Sequence, residues 1–124
     1  MGGSMFIEYN QNPNGDNIDD CVIRAISFAT GLDYWKVFDD LCEVADEFNC
    51  NINTGTAFIT YLNRLGYEPR EFTNKITVSK LANSCDRGTA IILVNGHVTC
   101  IKDGNIYDTW NCGRYKCQLA WVVK

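Results

Sequence analysis

The sequence is poor in several features that mark common protein classes. It has one histidine, two prolines and no C-x-x-C pair in 124 residues. No apolar run approaches the ~18 residues that a membrane-spanning helix needs. No cluster of lysine or arginine stands out and the formal net charge is −4, which argues against nucleic acid and anionic membrane surfaces as partners. Zinc is not expected, because structural zinc sites show paired ligands at short spacing. Nothing in the chain calls for a cofactor. The opening MGGSMFIEYN lacks a charged n-region and a long apolar segment, so it does not read as a secretory signal. The seven cysteines are irregularly spaced and read as free thiols of a reducing cytoplasm. Cys42 with Cys50, or Cys112 with Cys117, are the pairs placed to bridge under oxidation. Repeats, linkers and low-complexity tracts are missing too. That leaves a single domain over 5–124, with 1–4 a vector-derived remnant.

What the sequence does have is the composition of a folded globular domain, 46% apolar and 12% aromatic. Phe6–Tyr9 predicts a short strand, and the turn residues of NQNPNGDN make 10–17 a loop. From Cys21, apolar Val22, Ala25, Ile26 and Ala29 repeat at helical spacing up to Gly31. Asp33 is a predicted N-cap for a second helix to about Phe48, with Trp35, Phe38, Leu41 and Ala45 inward. A third helix is predicted over Thr56–Leu65, with Phe58, Ile59, Leu62 and Leu65 on its core face and Gly66 closing it.

Strand signals then dominate. Tyr67–Thr73, interrupted by Pro69, reads as an edge strand and 77–84 as a short helix. TAIILVN reads as a central strand, two strands flank KDGN, and LAWVV ends the chain region as another. The expectation is an α+β domain, with N-terminal helices packed on a C-terminal antiparallel sheet.

Asp103-Gly104 is a strong two-residue hairpin signal. With those residues as the turn, Ile101 faces Ile106, Thr99 faces Asp108 and His97 faces Trp110. His97, Thr99, Asp108 and Trp110 then share one face, and Asp108 lies diagonal to the imidazole. Cys100 points away from that face. A turn one residue longer would move Asp108 to the other side.

A cysteine at a helix N-terminus is favoured as thiolate by unpaired N–H groups and the helix dipole. Cys21 occupies that place in NIDDCVIRAIS. Cys21, His97 and Asp108 together supply a nucleophile, a base and an orienting carboxylate, the logic of covalent acyl transfer. Each also has an ordinary structural explanation: a packed thiol, a satisfied histidine, a strand-end carboxylate. The preceding acids Asp19 and Asp20 oppose a thiolate. Asp20 has two readings, an ion pair with Arg24 at i+4 or a helix N-cap. NCGRYKC (111–117) reads as a solvated loop or as a basic rim to the site.

DDCVIRAISFATG, followed much later by GHVTCIKDGNIYDTW, resembles the papain-like cysteine peptidase superfamily. It is most similar to the compact branch that includes the bacteriocin-processing double-glycine peptidases and small phage proteins. The resemblance implies Cys21 as nucleophile, His97 as general base and acid, and Asp108 as orienter. It also implies a protein or peptide substrate, a host or virion protein if the chain is phage-encoded, with the host cytoplasm as its location. Such peptidases usually carry a glutamine about six residues before the cysteine as an oxyanion donor; Gly15 stands there in this chain. Asn17 is the best substitute and Asn14 the second, with the Cys21 backbone N–H as the other donor. Three alternatives stay open: a thiol acyltransferase or deamidase using the same residues, a non-catalytic binding module on the scaffold, and a redox-sensing thiol protein. The last needs a resolving cysteine near Cys21, and none is visible in the sequence.

Overall fold

Among the described residues, three of the four helices begin at a side chain suited to close them. In the computed structural model, which describes residues 5–85 and 87–123, Asp33 accepts hydrogen bonds from the backbone N–H groups of Trp35 and Lys36 and starts α2, Tyr34–Glu47. Thr54 caps α3, Gly55–Arg64, and Thr77 caps α4, Val78–Ser84. α1, Cys21–Thr30, follows Asp20, whose side chain makes no capping bond. Gly31 ends α1 at a φ of 77°, a left-handed conformation that suits glycine.

Among the described residues, six strands form one mixed sheet: β1 (Phe6–Glu8), β2 (Arg70–Glu71), β3 (Thr89–Val94), β4 (His97–Lys102), β5 (Asn105–Asp108) and β6 (Leu119–Val123). Their order across the sheet is β1-β5-β4-β3-β6-β2. The expected α+β class holds, but the sheet is not wholly antiparallel. β1 pairs parallel with β5, Phe6 opposite Ile106 and Glu8 opposite Asp108. A strand placed before all the helices can return to the sheet edge in that direction because four helices intervene between it and its partner. Pro69 immediately precedes the two-residue β2, which is confined to the other edge, where a missing N–H costs least.

The sheet is covered on both faces. One core joins Val22, Ile26, Leu41, Leu62, Ile91, Val98 and Trp121, binding α1–α3 to the sheet. The other gathers Val78, Ile92, Val94, Ile101, Ile106 and Cys112 beneath α4 and the loop before β6. The period-two alternation of β3, Ile91 to one core and Ile92 to the other, divides them. α2 buries Leu41 and Ala45 and packs Phe38 against the core as expected, but its first turn differs. Trp35 is 47% exposed, while Tyr34, Val37, Leu41 and Val44 form the buried stripe. Tyr34 takes the inward place because its hydroxyl finds a buried carboxylate partner, Asp20. Residues 1–4, read above as a remnant, lie outside the described residues. Among the described residues, no helix is long and apolar enough to cross a membrane.

The hairpin that controls the site has the two-residue turn expected of it. Asp103 and Gly104 both have positive φ, 50° and 82°, as a type I′ turn requires. Lys102 pairs with Asn105, Ile101 with Ile106 and Cys100 with Tyr107.

Candidate active site

One end of the sheet brings together the start of α1, the start of β4 and the end of β5. Extending the hairpin register by one pair sets Thr99 opposite Asp108, on the face that His97 shares. The His97 Nε2 and Asp108 Oδ2 atoms are 2.6 Å apart, and both residues are buried. Trp110 lies against the imidazole with ring centroids 4.6 Å apart. Cys21, half-buried, opens α1, and its thiol is among the neighbours that raise the His97 pKa. Cys100 pairs with Tyr107 and stands apart from this face.

Asp108 is held from two sides. Its Oδ1 accepts hydrogen bonds from Arg24 Nη1 at 3.1 Å and from the Thr109 backbone N–H at 2.7 Å. Its Oδ2 faces His97. The other edge of the Arg24 guanidinium donates from Nε to Asp20 Oδ1 at 2.6 Å. Asp20 Oδ2 accepts from the Tyr34 hydroxyl at 2.6 Å and from Asn12 Nδ2 at 3.0 Å. A continuous polar chain thus runs from α2 through the residue before Cys21 to the carboxylate behind the histidine.

This chain decides between the two readings of Asp20. It is an ion-pair partner and not a cap, and at 2% exposure its charge is neutralised internally. It therefore does not act as an unpaired anion beside the thiol. The absent cap leaves the first-turn N–H groups of α1 without a side-chain acceptor.

The charges fix the protonation of the pair. Burial alone pushes the His97 imidazole down, but the bonds to Asp108, Cys112 and Cys21 and the Asp108 charge outweigh it, raising its pKa to about 11. Burial pushes the Asp108 carboxyl up, while the His97 bond and charge and the Thr109 N–H bring it below the ordinary carboxylate range. Burial lowers Arg24, and its two carboxylate partners more than restore it. Two anions and two cations, Asp20, Asp108, Arg24 and His97, balance within the buried network, so no charge there is left uncompensated.

The oxyanion candidates fare differently. Asn17 is exposed and lines an open pocket of about 580 Å³ with Glu8, Tyr9, Asn10, Thr109 and Trp110. Asn14 is exposed as well. The cavity that Cys21 itself lines is about 10 Å³, room for one water, and Gln11, Arg24, Thr99 and Asp108 share it. Thr99 Oγ1 is buried there without a hydrogen-bond partner among the described residues, and a single water would satisfy it. Gln11, which the sequence reading passed over, directs its Nε2 to Ser27 Oγ at 2.9 Å.

Two other participants were not visible in the sequence. Arg24 was legible as a partner for Asp20, but its second bond reaches Asp108 across 84 positions. Cys112 sits in the segment read as a solvated loop or basic rim. Its neighbours Arg114, Tyr115 and Lys116 are exposed, yet Cys112 is fully buried with Sγ 3.9 Å from Asp108 Oδ2. Gly113 lets the loop turn inward: a Cβ there would stand 2.1 Å from Ser79 Oγ. All seven cysteines are free, and neither proposed pair is bridged.

Comparison with protein-family models, with curated proteins and with solved structures returned no match.

Proposed function

We propose that this chain is a papain-like thiol hydrolase, a cysteine peptidase or isopeptidase, acting on a protein or peptide through Cys21, His97 and Asp108. The observation that carries the reading is the 2.6 Å His97–Asp108 contact at Nε2. It leaves Nδ1 as the nitrogen for the thiol at the open N-terminus of α1. Cys21 Sγ attacks the substrate carbonyl carbon, and the C–N bond breaks as the His97 imidazolium gives its proton to the leaving amine. Neutral His97 then takes a proton from water, whose oxygen attacks the thioester and releases the acid and the thiol. Asp108 keeps the imidazole oriented and stabilises its cation, while Arg24 and the Thr109 N–H hold the other carboxylate oxygen. The Cys21 backbone N–H, unopposed by a cap, serves the oxyanion, with the Asn17 amide as the second donor when substrate is bound. The free thiols fit a reducing cytoplasm.

Incubation with a complex peptide pool, with new termini read by mass spectrometry, tests this reading. Cleavage lost in both Cys21→Ala and His97→Ala supports it. Amide-to-acid conversion of side chains without chain cleavage, dependent on the same residues, identifies a deamidase. A second reading, a binding module on the same scaffold, is favoured by the exposed position of Asn17. Turnover absent from wild type, together with an unreactive Cys21, establishes that reading instead.

A further inference from the structure

Cys112 is a buried nucleophile that the proposed hydrolysis does not use. It is fully buried beside Asp108, in a segment whose adjoining side chains face solvent. A thiol placed there only for packing would sit among apolar neighbours alone. This one also meets the polar end of the site: its Sγ is 3.9 Å from Asp108 Oδ2, the oxygen that His97 Nε2 approaches to 2.6 Å. An imidazole nitrogen, a carboxylate oxygen and the Cys112 sulfur all lie within 4.8 Å of one another, and all three residues are more than nine-tenths buried.

We propose that His97, Asp108 and Cys112 form a binding site for a zinc-class divalent cation, and that its occupancy switches off Cys21. Nitrogen, oxygen and sulfur together are the donor set of a borderline-soft ion, not of magnesium or calcium. Tetrahedral zinc with bonds of about 2.0–2.3 Å separates its donors by roughly 3.3–3.6 Å. The His97–Asp108 contact must open from 2.6 Å by under about 1 Å, and the Cys112–Asp108 contact must close slightly from 3.9 Å. Side-chain rotation supplies both. Arg24 remains on Asp108 Oδ1 throughout, so the metal meets the free side of the carboxylate.

The charge balance favours the exchange. On binding, any protons on the imidazole Nε2 and on the Cys112 sulfur pass to solvent, and the ion forms bonds to Nε2, Oδ2 and Sγ. Two positive charges then face one carboxylate and one thiolate, so the occupied site carries no net charge next to the Arg24–Asp20 pair. Three protein ligands leave a fourth position for water, the arrangement of exchangeable sites and not of closed structural ones.

With Nε2 on the metal and Asp108 no longer on the imidazole, His97 cannot serve as the cation that activates Cys21. This second half of the proposal rests on the proposed catalytic pair; the first half does not. Titration with Cd2+, followed by its thiolate charge-transfer absorption in the ultraviolet, separates them. Wild type and Cys21→Ala should each take up one equivalent in a saturable transition. Cys112→Ala and Cys112→Ser, shown folded by circular dichroism, should lose it. Absence of a saturable transition in wild type, or its persistence in both Cys112 variants, overturns the site. Stoichiometric Zn2+ should suppress iodoacetamide labelling of Cys21 in wild type by at least about 10-fold, reversibly with chelator. Unchanged labelling with metal bound overturns the switch.

Discussion

Arg24 is the residue whose loss should be felt most widely, because it joins the helix that carries Cys21 to the strand that carries Asp108. Its guanidinium lies between two carboxylates that are 2% and 3% exposed. Arg24→Met keeps the aliphatic stem and removes the charge, leaving both anions buried without their shared cation. Breaking a buried pair in this way costs about 3–5 kcal/mol. The lower end applies here, since Asp20 keeps Tyr34 and Asn12 and Asp108 keeps His97 and the Thr109 N–H. A loss of about 3 kcal/mol in a domain of this size lowers Tm by roughly 9–15 °C. Urea unfolding at pH 7, followed by tryptophan fluorescence, measures it directly. Arg24→Lys retains the charge but lacks the planar fork that reaches both carboxylates, and should recover only part of the loss. Adding Asp20→Asn to Arg24→Met removes one stranded anion and should give a double variant less destabilised than the sum of the two singles. An Arg24→Met protein within about 0.5 kcal/mol of wild type would refute the claim that this network holds the site together.

Further outcomes follow from the same geometry. His97 has a pKa raised to about 11 from an unfolded value of about 6.5, so its stabilising contribution is complete below about pH 6.5 and is lost as pH rises towards 11. The urea midpoint of wild type should therefore fall more than that of His97→Ala across this range, and parallel curves would contradict the assignment. Asp108, held below the ordinary carboxylate range, contributes in the opposite sense: its share is present above about pH 4 and is lost under acid, so Asp108→Asn should flatten the acid limb of stability. Gly104→Ala forces a Cβ into a turn position with φ of 82° and should cost about 1–2 kcal/mol. Gly113→Ala places a Cβ 2.1 Å from Ser79 Oγ and 2.9 Å from Asn111 Oδ1. It should destabilise by about 1–3 kcal/mol, and removing the Ser79 hydroxyl should recover part of that in a thermal melt.

The elements set by local pattern were legible before the structure. The Asp103-Gly104 turn alone placed His97, Asp108 and Trp110 on one face, because strand parity carries a turn forward through every pair. The start of α1 at Cys21 and its end at Gly31 were readable for the same reason, a local periodicity closed by a glycine. What could not be read was long-range. Nothing near Phe6 says that its strand will run parallel to β5, and nothing near Arg24 points to Asp108. Trp35 was misplaced because the contest between Tyr34 and Trp35 for the inward position is decided by a hydroxyl partner in another segment. Cys112 was hidden by its company, since basic and aromatic neighbours make a loop look solvated whichever way one thiol points.

The central claim is that Cys21 is activated by His97. Iodoacetamide labelling at pH 6 in the presence of chelator, with rates for each cysteine resolved by mass spectrometry, tests it most directly. Exposed Cys85 serves as the ordinary thiol in the same tube. In wild type Cys21 should react far faster than Cys85, and in His97→Ala its rate should fall by about 100-fold or more. Equal Cys21 rates in the two proteins, or a wild-type Cys21 no faster than Cys85, would contradict the account and leave Cys21 a packed residue at the start of a helix.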